Sequence, residues 1–122
     1  MAKIYFTLTG TKHYYGAGFL KKGMKLQLEK EPENDYDREA IQVKLKGMGT
    51  IGYVANSPYT IIGESMSAGR IYDKIGNNAD AKVLLVTSEG VLCKLCKKSI
   101  TASSLQQGSA SEENDMEELS FV

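Results

Sequence analysis

The sequence contains no long apolar run. A helix that spans a membrane needs about 18 or more consecutive apolar residues, and no stretch of this chain approaches that length. The N-terminus, Met-Ala-Lys-Ile-Tyr-Phe, also lacks the apolar segment of a secretory signal. We therefore expect a cytoplasmic protein without a membrane partner. Its 122 residues are enough for one domain with a real core and too few for two.

The sequence is also poor in the residues that perform catalysis. It contains one histidine, His13, and neither a Gly-x-Ser-x-Gly nucleophile motif nor a phosphate-binding glycine-rich loop ending in Lys-Ser or Lys-Thr. Asp35 and Asp37 are close in sequence, but two acids without a third ligand are weak evidence for a metal site. We therefore expect no enzymatic activity, no cofactor and no bound metal.

The two cysteines form a single Cys-x-x-Cys pair, Cys93 and Cys96. A structural zinc site needs four ligands, and the chain has no second pair of this kind. Residues 91–96 alternate like a strand, in which positions three apart face opposite sides. We therefore predict that Cys93 is a buried core residue and that Cys96 points away from the core. A small metal or redox protein is a third and weaker hypothesis for the function.

The net charge of zero hides an uneven distribution. All fifteen lysines and arginines lie at or before Lys98, whereas five of the fifteen acids lie in residues 101–122. The body therefore carries a charge of +5 and the C-terminal segment a charge of −5. A mildly basic body permits contact with phosphate. Because Ser, Gln, Gly and Glu dominate the end of the chain, we predict a folded domain over residues 1–100 and a disordered acidic tail over residues 101–122.

Short segments of alternating apolar and polar residues dominate the body of the chain. They are bounded by turns rich in Gly, Asn and Ser, and no internal repeat is present. This pattern predicts an all-β fold with one helix, a small six-stranded barrel of the OB-like or SH3-like kind. The predicted strands are residues 3–9, 24–30, 40–46, 50–54, 81–87 and 91–97.

The single predicted helix follows the fourth strand. Ser57 can cap its N-terminus, Pro58 suits its first turn, and Gly69 ends it. Its buried stripe is formed by Ile61, Ile62 and Met66.

The first notable loop, residues 10–18, places a cation beside aromatic rings. Lys12, His13, Tyr14 and Tyr15 follow one another there. Basic residues interleaved with rings are typical of single-stranded nucleic-acid sites, because the rings stack on bases while the cations contact phosphate. A second interpretation is that Tyr14 or Tyr15 plugs the end of the barrel and that Lys12 is only solvated.

The second notable loop, within residues 31–41, is the most informative stretch of the chain. Asn34, Tyr36 and Asp37 supply an amide, an aromatic ring and a carboxylate just before a strand. This cluster can bind the hydroxyl group of a ligand and stack on a ring. It is also consistent with a structured turn, because Asn and Asp side chains form hydrogen bonds with nearby backbone.

Together these segments resemble a HIRAN domain over residues 3–98. The likeness comprises the first strand, the Gly-Thr-Lys-His-Tyr-Tyr-Gly loop, residues 23–28, and Ile-Gly-Tyr-Val at 51–54 before a helix. Its most specific part is Glu-Pro-x-Asn-x-Tyr-Asp-x-x-Ala-Ile at residues 31–41. The resemblance implies an OB-like barrel of the small stand-alone type found in bacteria and phages. It also implies binding of single-stranded DNA at a free 3′ end, as in the helicase-like proteins that carry this domain.

The resemblance also implies which residues form the site. Tyr36 and Asp37 would contact the terminal nucleotide, with Asp37 accepting a hydrogen bond from the 3′-hydroxyl. Asn34 would support the turn and Tyr53 would lie in the groove, while Asn56 stands where a groove lysine is expected. The basic and stacking positions of the first loop fall on Lys12, with His13 or Tyr14.

Two hypotheses for the function lead at this stage. The first is a non-enzymatic module that recognises the 3′-hydroxyl end of single-stranded DNA in repair or replication-fork processing. The second is a protein-interaction domain on the same barrel with little affinity for DNA, whose partner acts in repair or replication. The two differ in salt dependence, because phosphate contacts weaken steeply as salt rises whereas an apolar protein contact does not.

Overall fold

The alternating segments form six antiparallel strands in the computed structural model, which describes residues 3–101. The strands are β1 (Tyr5–Thr9), β2 (Lys25–Lys30), β3 (Ile41–Leu45), β4 (Gly49–Val54), β5 (Asn78–Val86) and β6 (Val91–Leu95). They pair in the order β1-β4-β3-β2-β5-β6, and β6 pairs back with β1 to close the barrel. The predicted all-β barrel is therefore confirmed.

Side chains from alternating positions of the strands fill most of the inside of the barrel. In β2 the side chains of Leu26 and Leu28 are buried, whereas the alternating residues Lys25 and Gln27 are exposed. Fully burying one such apolar side chain stabilises the fold by about 1.5–3 kcal/mol. Because side chains occupy the interior, a ligand has to bind on the outer face or on the loops.

The one α-helix within residues 3–101 lies further along the chain than the sequence predicted. It is α1 (Ala68–Tyr72), and the Ser67 side chain caps it by accepting a hydrogen bond from the backbone N–H of Arg70. The predicted start at Ser57 is wrong, because residues 57–61 form only one turn, in which Ile61 N donates to Ser57 O. Gly69 lies inside α1 rather than at its end. Within the described residues, no helix is long and apolar enough to cross a membrane.

Contacts with β1 explain why residues 62–66 are not helical. The Thr7 hydroxyl oxygen accepts a hydrogen bond from Ile62 N at 2.9 Å, and the Tyr5 carbonyl accepts one from Met66 N at 2.7 Å. These backbone N–H groups therefore have partners on a strand more than 50 residues earlier. Helical hydrogen bonds over residues 62–66 would have to replace these contacts with β1. The local sequence does not reveal the contacts with β1.

The folded region continues past β6. Lys97–Ser99 form a turn of 3₁₀ helix, and Ile100 is buried and pairs with Ile75. Thr101 N then donates a hydrogen bond to Lys74 O at 2.9 Å. Residues up to 101 are therefore part of the barrel domain. Apart from Thr101, the predicted acidic tail lies outside the described residues.

Cys93 lies in the core, as predicted, and both cysteines are free. Burial raises the pKa of the Cys93 thiol to about 12, so this thiol is protonated at neutral pH. Cys96 follows β6, is half-buried and faces Asp80 and several lysines on the outside of the barrel. In residues 3–101, no group of three or more His, Cys, Asp or Glu side chains could hold a metal ion.

Candidate nucleic-acid interface

The loop between β2 and β3 is organised by the side chain of Asn34. Its Oδ1 accepts hydrogen bonds from the backbone N–H groups of Tyr36 at 2.8 Å and Asp37 at 3.0 Å. Its Nδ2 donates to the Glu31 carboxylate at 3.0 Å. Asn34 therefore has the supporting role that the sequence predicted. The structured-turn interpretation is correct for this residue, because its polar atoms are engaged with the loop itself.

The Asp37 carboxylate is fixed from two sides. Its Oδ1 accepts a hydrogen bond from the backbone N–H of Glu39 at 2.9 Å, and its Oδ2 accepts one from Asn56 Nδ2 at the same distance. Asn56 is in turn held by Gly69, whose backbone N–H donates to Asn56 Oδ1 at 2.8 Å. The carboxylate is therefore tied to its own loop and, through Asn56, to the first turn of α1. An ionised carboxylate has about four acceptor positions, so each oxygen keeps capacity for a ligand.

Tyr36 stands out from the same loop into solvent. Its side chain is 97% exposed, whereas Asp37 beside it is half-buried. An open concavity of about 420 Å³ lies between this loop and β4, and Asn34, Tyr36, Asp37 and Tyr53 all line it. Four of the seven predicted site residues are therefore brought together around one surface depression.

Tyr14 connects the first loop to this concavity. Its ring centroid lies 6.4 Å from that of Tyr53, with the two planes tilted by 43°, which is a favourable spacing for an aromatic pair. The Tyr53 hydroxyl donates to the Glu31 carboxylate at 2.8 Å. Burial raises the pKa of Tyr53 well above its usual value, and the Glu31 and Tyr14 side chains raise it further. Tyr53 is therefore a neutral hydrogen-bond donor that joins both loops.

Lys12, His13 and Tyr15 of the first loop are exposed. Lys12 and His13 lie in a turn of 3₁₀ helix, and Lys12 borders a separate depression beside residues 87–90. The interpretation of a tyrosine plug is wrong, because Tyr14 is 43% exposed and Tyr15 is 57% exposed. Lys12 and His13 therefore do not line the concavity, whereas the Tyr14 ring contacts Tyr53, which does.

The hydrogen bonds of Glu31 and Asn56 and the exposed position of Tyr59 were not predicted. Glu31 accepts hydrogen bonds from both Asn34 and Tyr53, and Asn56 orients Asp37. Tyr59 is 95% exposed on the turn that follows Asn56. The Asn-Ser-Pro-Tyr segment is itself a turn signal, but it was interpreted as the start of a helix. Recognising the turn would have drawn attention to Asn56 and Tyr59.

The closed barrel with a fixed carboxylate and an exposed ring on one loop defines the class of protein, a small β-barrel binding module. The chain belongs to the HIRAN domain family, whose family model matches residues 1–86. The match ends with β5, so the last strand of the barrel lies beyond it. HIRAN domains are known as DNA-binding modules that are not catalytic by themselves.

Solved structures agree with this fold. A protein from Lactobacillus plantarum has 22% sequence identity and a TM-score of 0.52, over 77% of this chain and 93% of that one. The HIRAN domain of human HLTF has 14% identity and a TM-score of 0.51, over 77% of this chain and 74% of that one. A search of curated protein sequences gave no significant match. At these identities the structures support the barrel fold alone.

Proposed function

We propose that this protein is a non-enzymatic module that binds single-stranded DNA and recognises its 3′-hydroxyl end. The observation that carries the proposal is the Asp37 carboxylate, which two hydrogen bonds hold at the concavity beside Tyr36. A fixed carboxylate accepts a hydrogen bond from a terminal hydroxyl in a strong, charge-assisted geometry. It repels a terminal phosphate at the same place, because both groups are negatively charged.

Tyr36 supplies the stacking surface of the proposed site. A tyrosine ring that is 97% exposed contributes little to the core, and its ring is available to a base or a sugar. Stacking of one base on an aromatic side chain is worth about 1–3 kcal/mol in single-strand sites. Tyr36 and Asp37 are adjacent in the chain, so one nucleotide can contact both side chains.

The other predicted residues have supporting roles in this proposal. Asn34 holds the loop, while Tyr53 lines the concavity and Tyr14 packs against the Tyr53 ring. Lys12 and His13 contact the phosphates of the preceding nucleotides. A role in DNA repair or replication-fork processing, and a cytoplasmic location, remain predictions from the resemblance and from the sequence.

The test is a comparison of two short labelled oligonucleotides that differ only at the 3′ end, one with a hydroxyl and one with a phosphate. Fluorescence anisotropy should give the wild type at least about tenfold higher affinity for the hydroxyl end, because a charge-assisted hydrogen bond is worth about 1.5–3 kcal/mol. Asp37→Asn should abolish this preference, since an amide does not repel phosphate. Asp35→Asn is the matched control, because it removes the same charge from an exposed position in the same loop.

The outcome that contradicts the proposal is equal affinity of the wild type for the two ends, or no binding at low salt. A partner protein bound with little salt dependence would then make the interaction domain the leading function. Lys12→Ala adds a further distinction, because loss of a phosphate contact should weaken both oligonucleotides alike and reduce the salt slope.

A further inference from the structure

A second charged surface lies on the outer face of the barrel, away from the loops. Lys94 of β6 is directly opposite Lys82 of β5, and Lys82 is directly opposite Lys25 of β2. The residues on either side of Lys82, Ala81 and Val83, are buried inside the barrel. Since adjacent strands are about 4.8 Å apart, three outward-facing lysines follow one another across three strands.

Two further lysines extend this line at its ends. Lys3, just before β1, acts electrostatically on Lys94. Lys46, just after β3, lines the same cleft as Lys25 and Lys82. We call this surface the lysine row, and its members are Lys3, Lys94, Lys82, Lys25 and Lys46. Its cleft has a volume of about 320 Å³.

Like charges lie close together in the lysine row. Like charges directly opposite each other on neighbouring strands destabilise a sheet. Burial lowers the pKa of Lys94, and the charges of Lys3 and Lys82 lower it further. Asp80 also lines the cleft, where its carboxylate lies 3.8 Å from Lys98, a sixth lysine. A line of cations that strand pairing holds in register is complementary to a ligand that brings several negative charges.

The lining of the cleft indicates which nucleic acid fits. Single-strand sites combine cations with aromatic rings on which bases stack. The residues that line this cleft carry charged, amide, thiol and aliphatic side chains and no ring. Lysine acts as a point charge toward phosphate, and phosphate contacts carry no sequence information. The side chains of the cleft are therefore suited to the phosphate backbone of a nucleic acid and not to its bases.

We propose that the lysine row is a second DNA-binding surface, which binds the phosphate backbone of duplex DNA irrespective of sequence. It is separate from the concavity, because Lys25 begins β2 whereas Glu31 follows its end, a distance of about 20 Å along an extended strand. The proposal goes beyond the recognition of 3′ ends and does not depend on it.

The experiment uses a covalently closed dumbbell duplex, which offers phosphates but no free 3′ end. Anisotropy is measured with the full chain at several salt concentrations. Wild type should bind, with log K falling linearly with log salt at about 0.9 per phosphate contact. Lys25→Gln combined with Lys46→Gln should make the slope shallower by about 2. Both side chains are exposed and lie at the edge of the core, so the double variant should fold.

The matched control is Arg38→Gln combined with Arg70→Gln. It removes the same charge from two exposed side chains outside the lysine row, and it should keep the wild-type slope on the closed duplex. The proposal is overturned if the wild type fails to bind the closed duplex at low salt. It is also overturned if the Lys25/Lys46 variant keeps the wild-type slope or if the control variant loses as much.

Additional measurements distinguish duplex DNA from two other ligands of the lysine row. One is the acidic end of the chain, tested by changing its five acids to amides: Glu112, Glu113, Asp115, Glu117 and Glu118. If closed duplex binds only after that change, the row belongs to the tail and the proposal is wrong. The other is an acidic protein surface. Binding of polyglutamate with no binding of duplex would also overturn the proposal. Failure of the 3′-end preference leaves all of these results unchanged, because the dumbbell has no end.

Discussion

The loop of residues 31–39 and the lysine row hold their functional groups in opposite ways. In the loop the backbone is irregular, and side chains such as Asn34 and Asp37 are locked by hydrogen bonds to backbone N–H groups. In the lysine row the backbone is regular strand, and the charge sits at the tip of a flexible side chain. The loop therefore fixes the direction in which each polar group points. The lysine row fixes only the position at which each lysine side chain leaves the backbone.

This difference predicts different kinds of recognition. A carboxylate with a fixed orientation can distinguish a hydroxyl from a phosphate, because both distance and direction are set. A compact ammonium group on a four-carbon stem follows any nearby phosphate. We therefore expect selectivity from the loop and sequence-independent affinity from the row. Three substitutions sharpen this comparison.

The largest effect is expected for Asn34→Ala. The substitution removes two accepted hydrogen bonds and one donated bond, each worth about 1 kcal/mol. The free energy of unfolding should fall by about 2–3 kcal/mol, as measured by urea denaturation, because the backbone N–H groups of Tyr36 and Asp37 lose their partner. The preference for a 3′-hydroxyl should disappear.

The closed duplex provides the control for Asn34→Ala. At temperatures where this variant is folded, its binding to the dumbbell should equal that of the wild type. None of the hydrogen bonds that the substitution removes involves a member of the lysine row. Loss of both activities together would show that the two surfaces are not independent.

A smaller effect is expected for Tyr53→Phe, which removes only the hydroxyl bond to Glu31. The free energy of unfolding should fall by about 1 kcal/mol at neutral pH, while the ring pair with Tyr14 is kept. In the folded wild type the pKa of Tyr53 is raised above its usual value of 10. The stability from this hydroxyl is therefore fully present below pH 10 and is lost as the pH rises beyond it.

Denaturation curves between about pH 9 and 11 check the alkaline part of this prediction. Wild type should lose stability faster than Tyr53→Phe above about pH 10. The pKa of Cys93 is also raised, so the free energy of unfolding should decline in both proteins as the pH rises above 9, the usual pKa of this thiol. Identical pH profiles for the two proteins would contradict the role of the Tyr53 proton.

The smallest effect, and one of opposite sign, is expected for Lys25→Gln. Removing the charge opposite Lys82 relieves repulsion across β2 and β5, so the free energy of unfolding should rise by a few tenths of a kcal/mol at low salt. The gain should vanish at about 1 M salt, where exposed charges are screened. A loss of stability at low salt would show that the row is not under repulsion.

Local pattern was sufficient to predict the strands but not the helix. The alternation of Leu26 and Leu28 with polar neighbours marks β2, because a strand presents every second residue to the core. The fifth strand was predicted to begin at residue 81, yet Asn78 pairs with Glu29 as the first residue of β5. Residues 62–66 were placed in a helix, yet they bond to β1. In both cases a partner distant in sequence decided the conformation.

For the candidate site, the sequence predicted four residues that line one concavity but not how they are held. The spacing of Asn34, Tyr36 and Asp37 indicated an ordered loop, since Asn side chains commonly accept bonds from nearby N–H groups. The contact of Asp37 with Asn56 spans 19 positions and has no local signature. The lysine row is hidden for the same reason, because its members are brought together only by strand pairing.

The closure between β1 and β6 has a consequence for how this chain folds. Leu8 pairs with Val91 and Tyr5 with Lys94, so the barrel is sealed by contacts between nearly opposite ends of the described chain. Contacts this far apart in sequence are formed late and make folding slow relative to a helical protein of the same length. Until residues 91–95 leave the ribosome, β1 has an open edge, and open strand edges pair with other chains. The newly made polypeptide therefore keeps two open strand edges, those of β1 and β5, until its last strand emerges.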